Sequence, residues 1–437
     1  MTIHKKLTVS AFIFMCVTAM CSCKMYSKSD VTLVLKTPIM SFSENGIDAD
    51  VKSSGDFLKR AGEAFAERYT DADVTVKVVE YENTEENAMI EGYFDTDDAA
   101  DVLFNDYFTM EAHVFSGKVV PLDDIISDDI RNDIDETFWN QSRLNGRTYM
   151  LPYLYRQNVL ACNNEWLRRA GMEEYVSDGT KVQTWSMDEW EKILDAERKV
   201  MPETSYPLMM YAANNQGDTH ITCYIRSQGS SFFDGNNRFE LETPEGIAGL
   251  KWIKDCMDKR YMPENAAGIE LLACYDMFMA GQLGFYICNA AIEDNMEDYG
   301  LVNFPTVNGG CNTNFLTGFE VFDNGDVRKL KAAKSFVRYI YESDFLDYST
   351  EAIPCSSKIA EKYADYLKPM AKYTANADKG VDFTGGNPNW LGVRNILYKH
   401  IQKLITGEKT PAEVANELDG EANNIIEDGY AYGSLHE

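Results

Sequence analysis

Between Val31 and Phe104 the chain reads strand, helix, strand, helix, strand, and that alternation leaves few folds open. Val31-Thr-Leu-Val-Leu35 is a β-branched apolar run, the pattern of a strand buried on both faces. From Ser53 to Tyr69, the residues Phe57, Leu58, Ala61, Phe65 and Tyr69 recur at helical spacing on one face. Val74–Val79 predicts a second strand, Asn83 to Tyr93 a second helix, and Asp101–Phe104 a third strand. This order predicts an α/β fold with an open parallel sheet. In such sheets ligands sit beyond the carboxyl ends of the strands. Here those ends are Thr37–Phe42 and Asn105-Asp106-Tyr107.

At 437 residues, with 45% apolar and 12% aromatic side chains, the chain can bury more than one core. Its net charge of −29 repels nucleic acid and anionic lipid, and no basic stripe offsets that. Seven cysteines follow Cys23, at wide spacing and without a Cys-x-x-Cys. An odd, scattered set fits buried free thiols better than a disulfide framework. The acidic clusters Asp95-x-Asp97-Asp98 and Asp123-Asp124 lack the calcium-loop pattern, and the five histidines have no zinc spacing. No metal site and no cofactor is expected, and neither a Gly-x-Ser-x-Gly nor a phosphate loop occurs.

Further along, Asn145-Gly146 is a tight-turn dipeptide between two strand-like runs, and Pro152 fixes the chain just after it. Asn163 to Ala170 reads as a short helix stopped by Gly171. Three helix starts are marked by caps: Ser186-x-x-Glu189, Thr243-Pro244 and Thr410-Pro411-x-Glu413. Gly229 to Leu241 predicts a β-hairpin turning at Asp234–Asn237.

Lys5 and Lys6 precede an apolar run from Leu7 to Met20, too short to span a bilayer. With Met20-Cys21-Ser22-Cys23 this resembles a bacterial lipoprotein signal over residues 1–22. The resemblance implies lipidation at Cys23, a tether over 23–30 and a protein held outside the cytoplasm, on the outward face of the cell membrane.

Eight segments in order resemble one family. They include Asp101–Asn105, Ser116–Asp123, Leu144–Tyr153, Thr184–Trp190, Phe278–Tyr286, Tyr299–Pro305, Lys331–Tyr341 and Ala352–Ser356. The chain is similar to the extracellular solute-binding proteins of ABC importers, in the family of maltose-type sugar binders. One departure is Asn158–Asn163, which lacks the tyrosine-asparagine step common in that family. The resemblance implies a two-lobed periplasmic-binding-protein-like fold of type II, each lobe an open, mostly parallel sheet flanked by helices. It implies an N-terminal lobe of 31–152 plus 306–353 and a C-terminal lobe of 153–305 plus 354–437. A solute in the cleft touches both lobes, so it binds the closed form better and shifts the population. The expected partners are a small solute, carbohydrate by preference, and an ABC permease; the chain is expected to act as a monomer and not as an enzyme. A secreted carbohydrate-active enzyme, or a surface sensor or adhesin on the same fold, are the alternatives, because fold does not fix function.

Candidate ligand contacts follow from strand ends and from the resemblance. Phe42, Asp106 and Tyr107 follow strands of the first lobe; a carboxylate beside an aromatic ring suits a sugar. Tyr153 and Tyr155 lie just past the first crossing, and Asn214 belongs to a polar cluster. The resemblance adds Asn289 at a strand end, Glu320 on a returning strand, and Trp390 at a stacking position, with Arg394 one turn later.

Overall fold

The computed structural model describes residues 30–43, 46–82, 89–293, 296–381 and 384–434. The signal, Cys23 and most of the tether lie outside them, as does part of the expected 83–93 helix. What is described of that helix ends in a single 3-10 turn, Glu91–Tyr93.

Strands β1 (Asp30–Pro38), β2 (Asp73–Tyr81) and β3 (Val102–Asp106) pair in parallel, with β1 in the middle. Helix α1 (Ser54–Arg68) makes the first crossover. Ser53 caps it by accepting from the Asp56 N–H, and Phe57, Leu58, Ala61 and Phe65 are buried beneath it. A Cβ at Gly62 would stand 2.7 Å from Val76 Cγ1, so only glycine lets the helix lie this close on β2. Phe57 centres an aromatic core, with Phe104 at 5.7 Å and Tyr153 at 5.6 Å between ring centroids.

The two-residue strands β4 (Arg143–Leu144) and β5 (Arg147–Thr148) flank Asn145-Gly146, both at positive φ, as the turn dipeptide predicts. Next comes β6 (Leu151–Asn163), 13 residues long. Then follow β7 (Val182–Gln183), β8 (Phe285–Cys288), β9 (Tyr299–Val302), β10 (Asn312–Val321), β11 (Ile353–Pro354) and β12 (Gly380–Val381). The strand order along the sheet is β2-β1-β3-β10-β6-β9-β7. Its outer strands pair in parallel, while β10 runs antiparallel to both β3 and β6.

β6 changes partners along its length. Residues Leu151 to Asn158 pair with β10, and Val159 to Asn163 pair with β8 and β9. One continuous strand thus carries the chain between two sheet regions. Pro152 sits at a register shift opposite Gly318 rather than inside a regular ladder, where its missing N–H would leave a gap. Behind the exchange point, Gln157, Asn303, Asn312, Asn314 and Asn376 form a buried amide network. Its bonds include Gln157 Nε2 to Asn314 Oδ1 at 2.9 Å and Asn376 Nδ2 to Asn303 Oδ1 at 2.8 Å. Such a network ties β6 and β10 to the loops around them, since a buried amide left unpaired costs about 1–3 kcal/mol.

The second region carries helices α2 (Met187–Val200), α3 (Asp218–Arg226) and α4 (Pro244–Asp258). α5 (Val327–Tyr341) packs back on the first region, and α6 (Trp390–Ile405) and α7 (Pro411–Ser434) close the described chain. All three predicted caps form, the Ser186–Glu189 box in both directions. Trp190 and Trp252 stack at 5.0 Å in the core of this region. The seven cysteines are all buried thiols.

The hairpin expected over 229–241 forms in a short version: Phe233 and Phe239 bridge antiparallel, the Asp234 N–H donates to the Arg238 carbonyl at 2.9 Å and the Glu240 N–H to the Phe232 carbonyl at 2.8 Å. Its second arm is then tied to α7, where the Phe239 N–H donates to Asn423 Oδ1 and the Leu241 N–H to Asp419 Oδ1.

Candidate functional site

Strand parity decides what faces the cleft. Arg156 lies directly opposite Phe315 on β10, and Thr317 lies opposite both Leu154 and Asp106. Arg156, Phe315, Thr317 and Asp106 therefore share one face of the β3–β10–β6 ladder. Two cavities border that face.

The larger, of about 520 Å³, is lined from both sheet regions. Ser41, Phe42 and Ser43 come from beyond β1, Tyr155 to Gln157 from β6, Asn289 and Ala290 from beyond β8, and Tyr299 from β9. Glu351, Ile353, Tyr366 and Met370 complete it. Asn289 Nδ2 donates to Asn158 Oδ1 at 3.0 Å, which fixes its amide across the β6–β8 join. The Ser43 N–H donates to Glu351 Oε2 at 2.7 Å. Arg156 is half-buried and forms no ion pair within 4.0 Å among the described residues. Tyr366, 39% exposed, lines the same cavity beside Pro369 and Met370.

The smaller cavity, of about 300 Å³, lies between Phe108, Thr109 and Ala112 on one side and Pro388 to Leu391 on the other, with Asp428 and Gly429 of α7. Phe108 meets Phe315 edge-on at 5.2 Å. Arg394 holds its guanidinium 5.7 Å above the Phe108 ring and pairs through Nε with the buried Asp218 carboxylate.

Asp106 lies within electrostatic reach of both Arg156 and Arg394. Burial raises its pKa, while a hydrogen bond from Thr317 Oγ1 and the charges of Arg156 and Arg394 pull it back. Burial likewise raises Glu351, opposed by the Ser43 N–H and by Arg156.

Of the ten residues expected at the site, Phe42, Tyr155 and Asn289 line the larger cavity and Trp390 the smaller. Asp106 and Arg394 lie on or against the shared face. Four are placed elsewhere. Tyr153 is buried against Phe57, Phe104 and Phe319, and its hydroxyl donates to the Phe345 carbonyl at 2.5 Å. Tyr107 is buried, with its ring 4.9 Å from that of Phe108. Glu320 is 0% exposed and bonds His113 Nδ1 at 3.0 Å. Asn214 caps a 3-10 turn by accepting from the Gln216 N–H at 3.0 Å. Trp390 is only 1% exposed, so most of its ring is core rather than a stacking surface. Arg156, Glu351 and Tyr366 also line the larger cavity and Phe108 the smaller, and none of the four is singled out by the sequence reading. A lone arginine inside Leu-Pro-Tyr-Leu-Tyr-Arg-Gln-Asn-Val-Leu was the signal available for the first.

A cleft bordered by two sheet regions joined by antiparallel crossings defines a hinged binding protein. Residues 48–344 match the family of bacterial extracellular solute-binding proteins, and the chain belongs to that family. A Brucella abortus protein named as a binding protein is 19% identical over 325 residues, covering 72% of this chain and 76% of that one. Among solved structures, the GacH receptor of Streptomyces glaucescens, described unliganded and with acarbose, superposes with a TM-score of 0.68. It is 17% identical and covers 92% of this chain and 99% of its own. The sugar-binding protein MalE of Xanthomonas citri gives a TM-score of 0.71 at 14% identity, over 91% of this chain and 98% of that one. The fold is the two-lobed periplasmic-binding-protein-like fold of type II. No helix among the described residues is long and apolar enough to cross a membrane.

Proposed function

We propose that this chain captures an oligosaccharide in the larger cavity, closes around it and passes it unaltered to an ABC permease. The observation that carries the reading is that cavity's lining: one wall from beyond β1, the other from beyond β8, with β6 as floor. A solute there binds across a hinge, and moving a population from mostly open to mostly closed takes about 5 kcal/mol of differential affinity. The solute-binding family and the sugars named for the structural neighbours support a carbohydrate. Serine hydroxyls, amides and a tyrosine ring at the cavity suit hydroxyls and C–H faces. The lobes are proposed as 31–152 plus 306–353 and 153–305 plus 354–437, with the β6–β10 ladder as the hinge. Cys23 is proposed as the lipid anchor that holds the protein on the outer face of the membrane, as a monomer.

The test uses the protein as exported, in detergent. Mass spectrometry at the N-terminus reads the acyl chains on Cys23. A thermal-shift screen across oligosaccharides reads binding, since a solute at 100 times its dissociation constant adds about 2.7 kcal/mol. Chromatography of the recovered sugar should return it unchanged. Conversion of the sugar would instead make the chain an enzyme, and a screen with no shift would remove the carbohydrate reading.

A further inference from the structure

Arg156 is the unusual member of the larger cavity. It sits on the floor strand, half-buried, and its guanidinium meets no carboxylate within ion-pair distance among the described residues. Two acids lie within electrostatic reach, Asp106 and Glu351. Each is already engaged: Asp106 accepts from Thr317 Oγ1, and Glu351 accepts from the Ser43 N–H. Burial raises the pKa of both carboxyls, and the charge of Arg156 pulls each back down. The contrast is Arg394, over the Phe108 ring, whose charge is met by Asp218.

Closing the cleft would remove more water from Arg156. A charge buried without a partner is costly, and a planar guanidinium is best satisfied by a bidentate oxyanion. Resting on the reading above, we propose that the solute is an acidic oligosaccharide, and that a uronate carboxylate of the sugar binds Arg156 on the cavity floor. The surrounding Ser41, Asn289 and Tyr366 then meet the hydroxyls and one ring face of that same sugar unit. Ionic recognition of this kind also sets the sign of discrimination. A neutral sugar leaves the guanidinium unpaired on closure, so the site selects against it.

The experiment compares matched sugars. Oligogalacturonates, alginate oligomers and hyaluronan oligomers are each tested beside their carboxyl-reduced counterparts, by thermal shift and calorimetry on the exported protein. At least one acidic member should bind, and its reduced counterpart should bind about tenfold or more weakly. Raising the salt should weaken the acidic ligand alone. In Arg156→Gln the preference for the acid should vanish while the free protein keeps its unfolding midpoint; Arg156→Lys should retain part of it. Equal binding of acidic and reduced sugars overturns the inference, as does an acid preference that survives in Arg156→Gln. Binding confined to the neutral members overturns it too, and leaves the carbohydrate reading standing. Failure of every sugar, acidic and neutral, removes the carbohydrate reading and this inference with it.

Discussion

Arg156 and Arg394 border one face of the same ladder, yet their surroundings make them opposite devices. Arg394 is answered from inside the protein, by the buried Asp218 carboxylate below it and the Phe108 ring beside it. Arg156 faces a larger cavity with its nearest acids engaged elsewhere. The same split divides the buried acids. Glu320 is bonded to His113 at 3.0 Å, whereas Glu197 on α2 is fully buried and neither of its oxygens meets a hydrogen-bond partner among the described residues. A charge answered within the fold holds the fold together; a charge left unanswered at a cavity is available to a ligand, and one left unanswered in a core titrates.

The largest effect should come from breaking the answered pair. Arg394→Met strands Asp218 in a buried site, and removal of one partner of a buried ion pair costs about 3–5 kcal/mol. Urea unfolding should therefore show a much lower midpoint for Arg394→Met. The parallel change Arg156→Gln should move stability by less than about 1 kcal/mol, because no pair within the protein is lost. Equal destabilisation by the two would erase the distinction between them.

A smaller effect should appear at Glu197. Burial raises its pKa well above the ordinary carboxylate value, and no interaction opposes that. The folded state then holds a proton that the unfolded chain releases above about pH 4.5. Stability contributed by this group is present at low pH and is lost as pH rises from there toward the folded value. Comparing urea midpoints at pH 5 and pH 8, the wild type should lose stability relative to Glu197→Gln, by about 1–3 kcal/mol. A pH-independent difference between the two proteins would mean that Glu197 is already answered.

The β-α-β start was legible because each element announces itself locally. β1, α1, β2 and β3 fall where the apolar periods put them, and the three caps name their helices to the residue. The order of family-like segments carried the rest of the architecture. Side-chain direction was not legible. β6 is buried on most of its length, and Arg156, Gln157 and Asn158 put polar side chains on both parities, so its sequence does not mark which one meets the cleft. Tyr153 and Tyr155 both follow the first crossing, yet the fold turns Tyr153 into the core beside Phe57 while Tyr155 lines the larger cavity with Arg156. Glu320 shows the same limit from the other side. A carboxylate on a returning strand reads as a contact until His113, more than two hundred positions earlier, is brought beneath it by the fold.

The smallest predicted effect tests where the cleft offers a ring to its ligand. Trp390 is nearly all core, with Phe233 meeting it edge-on at 6.3 Å between centroids. Tyr366 at the rim of the larger cavity is more than a third exposed. Ring contacts contribute about 0.5–1.5 kcal/mol, so Tyr366→Ala should weaken ligand affinity by about two- to tenfold in calorimetry. Its unfolding midpoint should stay within about 0.5 kcal/mol of wild type, as for most surface changes. Trp390→Ala should do the reverse at first order, opening a void in the core that costs about 3–5 kcal/mol. If instead Trp390→Ala kept the stability and lost the ligand, the smaller cavity would be the binding site, and Arg394 rather than Arg156 would stand beside the solute.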